Sequence, residues 1–301
     1  MIRRETLKLM GLAAAASLAA QASIPPLPQA TEPELPEAGK IAGPFELRQT
    51  VYVISSHHQA HDLPVRVLLP KQLEKVKSPA VLYVLPVEPE IQFKFGDGLT
   101  TVEHEDLHNK FGLVAVAPSF SDWPWYANHP TDPKIQQEAY FLEDVVPLIN
   151  RLYPKASKKR LLVGFSKSGN GAYQLLLRHP ELFTAASIWD APIMYDSPQK
   201  FEMPRIYGDQ RNFDEYCIPP LLRRQANLLS GKPPRLALFG YSLFGGPHPT
   251  FGPHIEEAHA LMESLRIPHI YDDSSQREHR WDSGWLEPAV TALATMSRSK
   301  I

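Results

Sequence analysis

Leu161-Leu162-Val163-Gly164-Phe165-Ser166-Lys167-Ser168-Gly169-Asn170-Gly171-Ala172 reads as strand, sharp turn and helix, with a serine at the apex. Three apolar residues after the basic Lys158-Lys159-Arg160 make a short buried strand, and Gly164, Gly169 and Gly171 let the backbone turn steeply into an amphipathic helix. A turn of this kind holds a serine hydroxyl out at the carboxyl end of a sheet. Its usual pattern is Gly-x-Ser-x-Gly, whereas here Ser168 takes the fifth position and Gly169 follows. The alternative reading is a plain Gly/Ser-rich connection between strand and helix. The surrounding chain has to decide.

Upstream, Ala80-Val81-Leu82-Tyr83-Val84-Leu85 and Leu113 to Ala117 are continuous apolar runs, which suit strands of a parallel sheet covered on both faces. Thr101 to Lys110 is the expected crossover helix between them; its His104 and His108 lie four apart and read as surface or packing residues rather than metal ligands. Phe45 to Ile54 and Leu63 to Leu69 form an expected opening antiparallel hairpin. The His57-His58-Gln59-Ala60-His61 turn between them lacks the partner ligands and spacing of a typical zinc site and reads as a solvated turn. Gln136 to Leu152 has helical apolar spacing at Phe141, Val145, Leu148 and Leu152 and leads into the strand before Ser166.

Downstream, Ala185 to Trp189 is a further strand ending in Asp190-Ala191-Pro192. Residues 193 to 230 break the rhythm as an insertion, and Leu236 to Phe239 resumes it as a strand. His254 to Leu265, Pro268 to Tyr271 and Trp285 to Met296 follow as helix, strand and helix. The expected fold is α/β, a mostly parallel central sheet with helices on both faces, in one domain over 45–301. With 43% hydrophobic residues the chain can bury the large core such a fold requires.

The first 22 residues pair Arg3-Arg4 with the apolar run Leu9 to Ala22, the charged start and apolar middle of an export signal. The paired arginines resemble a twin-arginine signal, so the precursor is expected to meet the twin-arginine export machinery and the mature protein to be periplasmic or extracellular. A membrane anchor is the other reading, for which the apolar run is short. Residues 23 to 44 contain six prolines without a periodic apolar face and read as a linker. A net charge of -2 with scattered lysines and arginines shows no basic stripe, which argues against nucleic acid as a partner. Cys217 is the only cysteine, so no intramolecular disulfide forms.

A serine hydroxyl at neutral pH needs a base within hydrogen-bond reach. When a serine elbow is followed in chain order by an acid and then a histidine, the base lies after the last strand and before the terminal helix, and His279 occupies that place. The Lys167 amide, next after the serine, is one oxyanion donor by geometry. Trp123, Trp125 and Tyr126, in an aromatic loop after Pro118, either wall a substrate site or pin the loop to the core. No metal ligand set and no cofactor motif accompanies these residues.

Together, the segment Gly164 to Ala172, the helix ending Arg178-His179-Pro180-Glu181-Leu182-Phe183 and the His279 segment resemble the esterase D and feruloyl-esterase-like branch of the α/β-hydrolases, which also includes mycolyltransferases. The resemblance spans roughly residues 45 to 297. It implies attack by Ser166 on an ester carbonyl, proton transfer through His279 and an acyl-enzyme that water resolves. It also implies a second oxyanion donor in the loop after Leu85, where Pro86 has no N–H and Val87 is the nearest amide, and a small-molecule or carbohydrate ester as substrate. Family members usually carry the acid after the strand that here is Leu236 to Phe239, but Gly240 to His248 contains no carboxylate. Asp190 is the substitute, with Glu256, Asp272 and Asp273 as alternatives; its other reading is a turn cap before Ala191-Pro192. Two functions therefore stand, a serine esterase or a hydrolase-fold protein without turnover that binds a ligand or partner.

Overall fold

A computed structural model describes residues 38–39, 48–242, 251–274 and 277–298. The export signal at 1–22 lies outside these residues, as do most of the proline-rich stretch and the start of the domain at Phe45. Among the described residues nine strands form one sheet: β1 (Ala38–Gly39), β2 (Gln49–Ile54), β3 (Leu63–Leu68), β4 (Ala80–Val84), β5 (Leu113–Pro118), β6 (Arg160–Phe165), β7 (Ala185–Trp189), β8 (Leu236–Leu238) and β9 (His269–Tyr271). Their order is β1-β2-β3-β5-β4-β6-β7-β8-β9. The β1–β2, β2–β3 and β3–β5 pairs are antiparallel and every later pair is parallel. β1 falls inside the stretch read as a linker and lengthens the antiparallel end of the sheet.

The apolar runs fill both faces because alternate residues point opposite ways. Val81 and Tyr83 of β4, Val114 and Val116 of β5 and Leu162 of β6 join one buried layer with the helices Ser166–Arg178, Ile218–Leu229 and Gly252–Ser264. Leu82 and Val84, Leu113 and Ala115, and Leu161, Val163 and Phe165 join the other, under the helix Leu286–Met296. The crossover expected over Thr101 to Lys110 is two short helices, Gly98–His104 and Leu107–Phe111, broken at Asp106 with φ 54°. His104 is exposed and His108 buried across that break, so the two share no ligating face. Residues 137–152 form one helix whose middle, Tyr140–Val145, is a π-helical turn just ahead of Pro147, a residue that cannot donate a backbone hydrogen bond.

The chain leaves β4 toward β5 on one side and comes back to place β6 on the other side of β4. Such a reversal of direction opens a crevice at the carboxyl ends of the strands, where open α/β sheets bind their ligands. β4 ends there in Leu85 to Glu88, β6 in Ser166 and β7 in Asp190. Residues 193–230 stand beside it as the helices Met203–Tyr207, Gln210–Tyr216 and Ile218–Leu229. Among the described residues no helix is long and apolar enough to cross a membrane.

Candidate active site

Ser166 begins the helix Ser166–Arg178 directly after β6, and its φ of 51° is the left-handed backbone that a side chain other than glycine's rarely adopts. That conformation persists because close packing leaves the turn no alternative. A Cβ on Gly164 would stand 2.4 Å from the carbonyl oxygen of Ser168, and one on Gly171 2.0 Å from the Tyr126 ring. Ser168, standing where the common pattern has glycine, is fully buried; its Oγ accepts from the Phe165 amide at 3.1 Å and donates to the Phe165 carbonyl at 2.9 Å. The departure from the pattern thus adds two hydrogen bonds to the elbow. Helix geometry leaves the first-turn amides, Lys167's among them, without an intrahelical acceptor, and the helix dipole favours negative charge there.

Asp190 follows β7 as Ser166 follows β6, also left-handed at φ 42°, and its carbonyl accepts from the Ser166 amide at 3.0 Å. Its carboxylate is completely buried. Oδ2 accepts from His279 Nδ1 at 2.6 Å and from the Ser242 hydroxyl, and Oδ1 accepts from the Phe251 amide at 3.1 Å. A carboxylate so placed keeps the proton on Nδ1 and leaves Nε2 as the imidazole nitrogen able to take one. Of the alternative acids, Glu256 bonds Tyr241, Asp272 bonds Ser274 and Asp273 bonds Tyr271. His279 is brought in by the segment after β9, where Arg277 bridges in parallel to Ser242. Its ring meets the edges of Phe165 and Phe95 at centroid distances of 4.9 and 5.6 Å.

Ser166 and His279 line one cleft with about 640 Å³ of free space, walled by Phe95, Trp123, Trp125, Phe201 and Phe251 and flanked by the charged Glu88, Lys94, Lys167 and Glu202. Lys167 Nζ lies 3.8 Å above the Trp123 ring and 2.9 Å from Glu202 Oε2. Burial pulls the Lys167 ammonium below its ordinary range, and Glu202 opposes that shift. Burial also pushes the Glu88 carboxyl up, against the Phe95 and Lys94 amides and the charges of Lys167 and Lys94.

One sequence expectation is corrected here. Tyr126 does not line the cleft. It is fully buried, with φ 59°, packs against Gly171 and donates from its hydroxyl to the Pro86 carbonyl at 2.7 Å, so it pins the loop while Trp123 and Trp125 face the cavity. The expectation at Val87 concerns its backbone amide rather than its side chain. The Val87 side chain turns into the apolar layer with Val84 and Trp281, and the next residue, Glu88, reaches the cleft instead. Among the described residues the amides of Val87 and Glu88 donate to no protein acceptor. Sequence reading also missed Ser242 and Phe251, whose contacts with Asp190 cross 52 and 61 residues of chain and leave no local pattern. A carboxylate just past the end of β4 was the available signal for Glu88.

The His57 and His58 rings lie 3.8 Å apart, but the histidines of the 57–61 turn form no group of three ligands among the described residues. His58 pairs with Glu143 at 3.2 Å and His61 with Glu90 at 2.8 Å. Among the described residues the one group of three side chains able to hold a metal is His259, Glu263 and His269, none of which lines the cleft.

The "Putative esterase" family model matches residues 56–212, more than half of the chain and the part that contains the elbow and Asp190. The chain belongs to this esterase family. As a member it is a serine hydrolase of carboxylic esters, with the α/β-hydrolase fold. Among solved structures it is similar to an S-formylglutathione hydrolase from Agrobacterium tumefaciens, at 17% identity and TM-score 0.63 over 83% of this chain and 95% of that one. It is similar to FphF, a fluorophosphonate-binding serine hydrolase of Staphylococcus aureus, at 16% identity and TM-score 0.63 over 82% and 98%. A ferulic acid esterase matches at 18% identity and TM-score 0.60 over 83% and 98%. At these identities the likeness is one of fold. No curated protein matches the sequence.

Proposed function

We propose that this esterase works through Ser166 as nucleophile, His279 as base and Asp190 as the acid that orients it, by way of an acyl-enzyme. The observation that carries the reading is the 2.6 Å bond from His279 Nδ1 to a fully buried Asp190, in a cleft that His279 shares with a left-handed Ser166. Ser166 Oγ attacks the carbonyl carbon and its proton passes to His279 Nε2, while Asp190 stabilises the imidazolium. The oxyanion takes hydrogen bonds from the Lys167 amide and from the loop after β4, where the amides of Val87 and Glu88 are both without a protein acceptor among the described residues. Collapse expels the alcohol with the proton from His279; water, deprotonated by the same nitrogen, then releases the carboxylic acid and frees Ser166.

The aromatic walls suit a flat or ring-shaped substrate portion, and an acylated carbohydrate fits them because sugar rings stack on aromatic faces. The reading of a fold without turnover loses its main support, since the carboxylate missing after β8 is supplied from β7. The Arg3-Arg4 start and the apolar run to Ala22 support export by the twin-arginine route to the periplasm or medium.

A fluorophosphonate probe tests the chemistry. The intact protein should label and Ser166→Ala should not; serine-independent labelling, or none at all, removes the proposed nucleophile. Recovery of the labelled protein outside the cytoplasm, and its retention when Arg3 and Arg4 are both changed to Lys, tests the export route.

A further inference from the structure

His259 and Glu263 stand four residues apart on the helix Gly252–Ser264, so both project from one face a turn apart. The chain then turns through Arg266, left-handed at φ 54°, and sets His269 at the start of the edge strand β9. One ligating atom from each of the three side chains lies within 4.8 Å of the other two. His259 Nδ1 and His269 Nε2 are 2.8 Å apart. The His259 ring is held by stacking on Tyr271, centroids 3.9 Å apart and planes 7° from parallel.

The protonation pattern is fixed by chemistry. His269 Nδ1 lies 2.8 Å from the carbonyl oxygen of Ile267, and a carbonyl only accepts, so Nδ1 carries the proton and Nε2 presents its lone pair to the cluster. Metal-bound histidines use the same arrangement, in which the far nitrogen donates to a carbonyl or carboxylate and thereby sets the tautomer and the ring orientation. Across the 2.8 Å gap a single proton, on His259 Nδ1, joins two nitrogens that would otherwise repel. A cation can replace it once that proton moves to His259 Nε2, a change of tautomer with no net charge.

We propose that His259, Glu263 and His269 form a site for a divalent transition-metal ion of the zinc class. Two imidazole nitrogens and one carboxylate oxygen are a donor set zinc accepts, with water as the fourth ligand. Bonds of about 2.0–2.1 Å in a tetrahedron separate ligand atoms by roughly 3.3 Å, so the two rings open by about 0.5 Å and the exposed Glu263 swings inward. The bound ion clasps the helix to the strand. That helix starts just after Phe251, whose amide holds Asp190, and β9 leads into the segment that carries His279. The clasp joins two segments that support the acid and the base, and its role is structural because none of its ligands lines the cleft.

The full-length protein, stripped with a chelator, is titrated with zinc chloride by calorimetry, and its melting temperature is followed in parallel. The wild type should take up one zinc per chain and melt higher with zinc, by mass action on the folded state. His259→Ala and His269→Ala should lose both effects, and Glu263→Gln should bind at least ~10-fold more weakly. Glu263 is exposed, so its variant retains the fold and decides the question even if a histidine variant does not. Zinc isotherms that superimpose for wild type and Glu263→Gln, or a wild type whose melting temperature zinc leaves unmoved, overturn the site and leave a plain histidine–histidine hydrogen bond.

Discussion

β6 and β7 run side by side and each ends in a left-handed residue, Ser166 at φ 51° and Asp190 at φ 42°, yet the two occupy opposite surroundings. Ser166 opens onto the cleft, and much of its turn is held by its own segment: Gly164 and Ser168 pack and bond within a few residues of it, while Gly171 packs on Tyr126 of the aromatic loop. Asp190 is sealed from solvent and all three groups on its carboxylate, from His279, Ser242 and Phe251, come from distant parts of the chain. The serine's turn is therefore specified largely by its own segment, whereas the surroundings of the Asp190 carboxylate exist only when three separate segments close around it. Left-handed backbone at a non-glycine residue costs on the order of 1–3 kcal/mol, and both strand ends bear that cost at the candidate site.

The largest expected break in this comparison is Asp190→Asn. It keeps the shape but removes the charge and favours the wrong tautomer of His279, and kcat for a short-chain ester should fall by roughly 10⁴-fold, the scale seen when an orienting aspartate is amidated. A variant within a factor of a few of wild type would show that another group supports the base.

Ser242→Ala probes the long-range support more gently. It deletes one hydrogen bond to an ionised carboxylate, worth about 1.5–3 kcal/mol, and kcat/KM should drop by roughly 10- to 100-fold with an unchanged fold by circular dichroism. An effect as large as that of Asp190→Asn would make Ser242 more than a support.

The smallest effect is a pH dependence from the loop on the other side of His279, where Phe95 sits. Arg66 clamps Asp97 through two bonds of 2.6 and 2.8 Å, and Asp97 also caps the helix Gly98–His104. Burial alone would raise the Asp97 carboxyl, but the Arg66 bonds and charge, the Thr100 hydroxyl and the Leu99 amide outweigh it and hold it below 3.8. The folded state then binds this proton less readily than the unfolded chain. The stabilisation is complete above pH 3.8 and is lost as pH falls through the lower folded value. Urea midpoints should decline along that acid limb, and Asp97→Asn should flatten its share of the decline.

Much of this molecule was legible along the chain. Continuous apolar runs such as Val81 to Leu85 and Leu161 to Val163 are buried on both faces, which only a covered sheet allows, and Ala185–Trp189 forms its strand with the limits expected. The place of His279 followed from the order of elements. Tyr126 was misread because its neighbours Trp123 and Trp125 do face the cleft; which member of an aromatic loop turns inward depends on the void above Gly171, and nothing local encodes that void. Glu88 and Val87 differ by one position, and the direction of the chain after Pro86 decides which of them reaches the cavity.

By itself the sequence determined the strand and helix order, the serine elbow and the histidine loop, because backbone turns and apolar periodicity act over a few residues. Tertiary structure alone decided that Asp190 is the carboxylate on His279, that Ser242 and Phe251 hold it, and that His259 meets His269. Such meetings depend on sheet register and on how separate helices pack, and those are properties of the closed core rather than of any one segment.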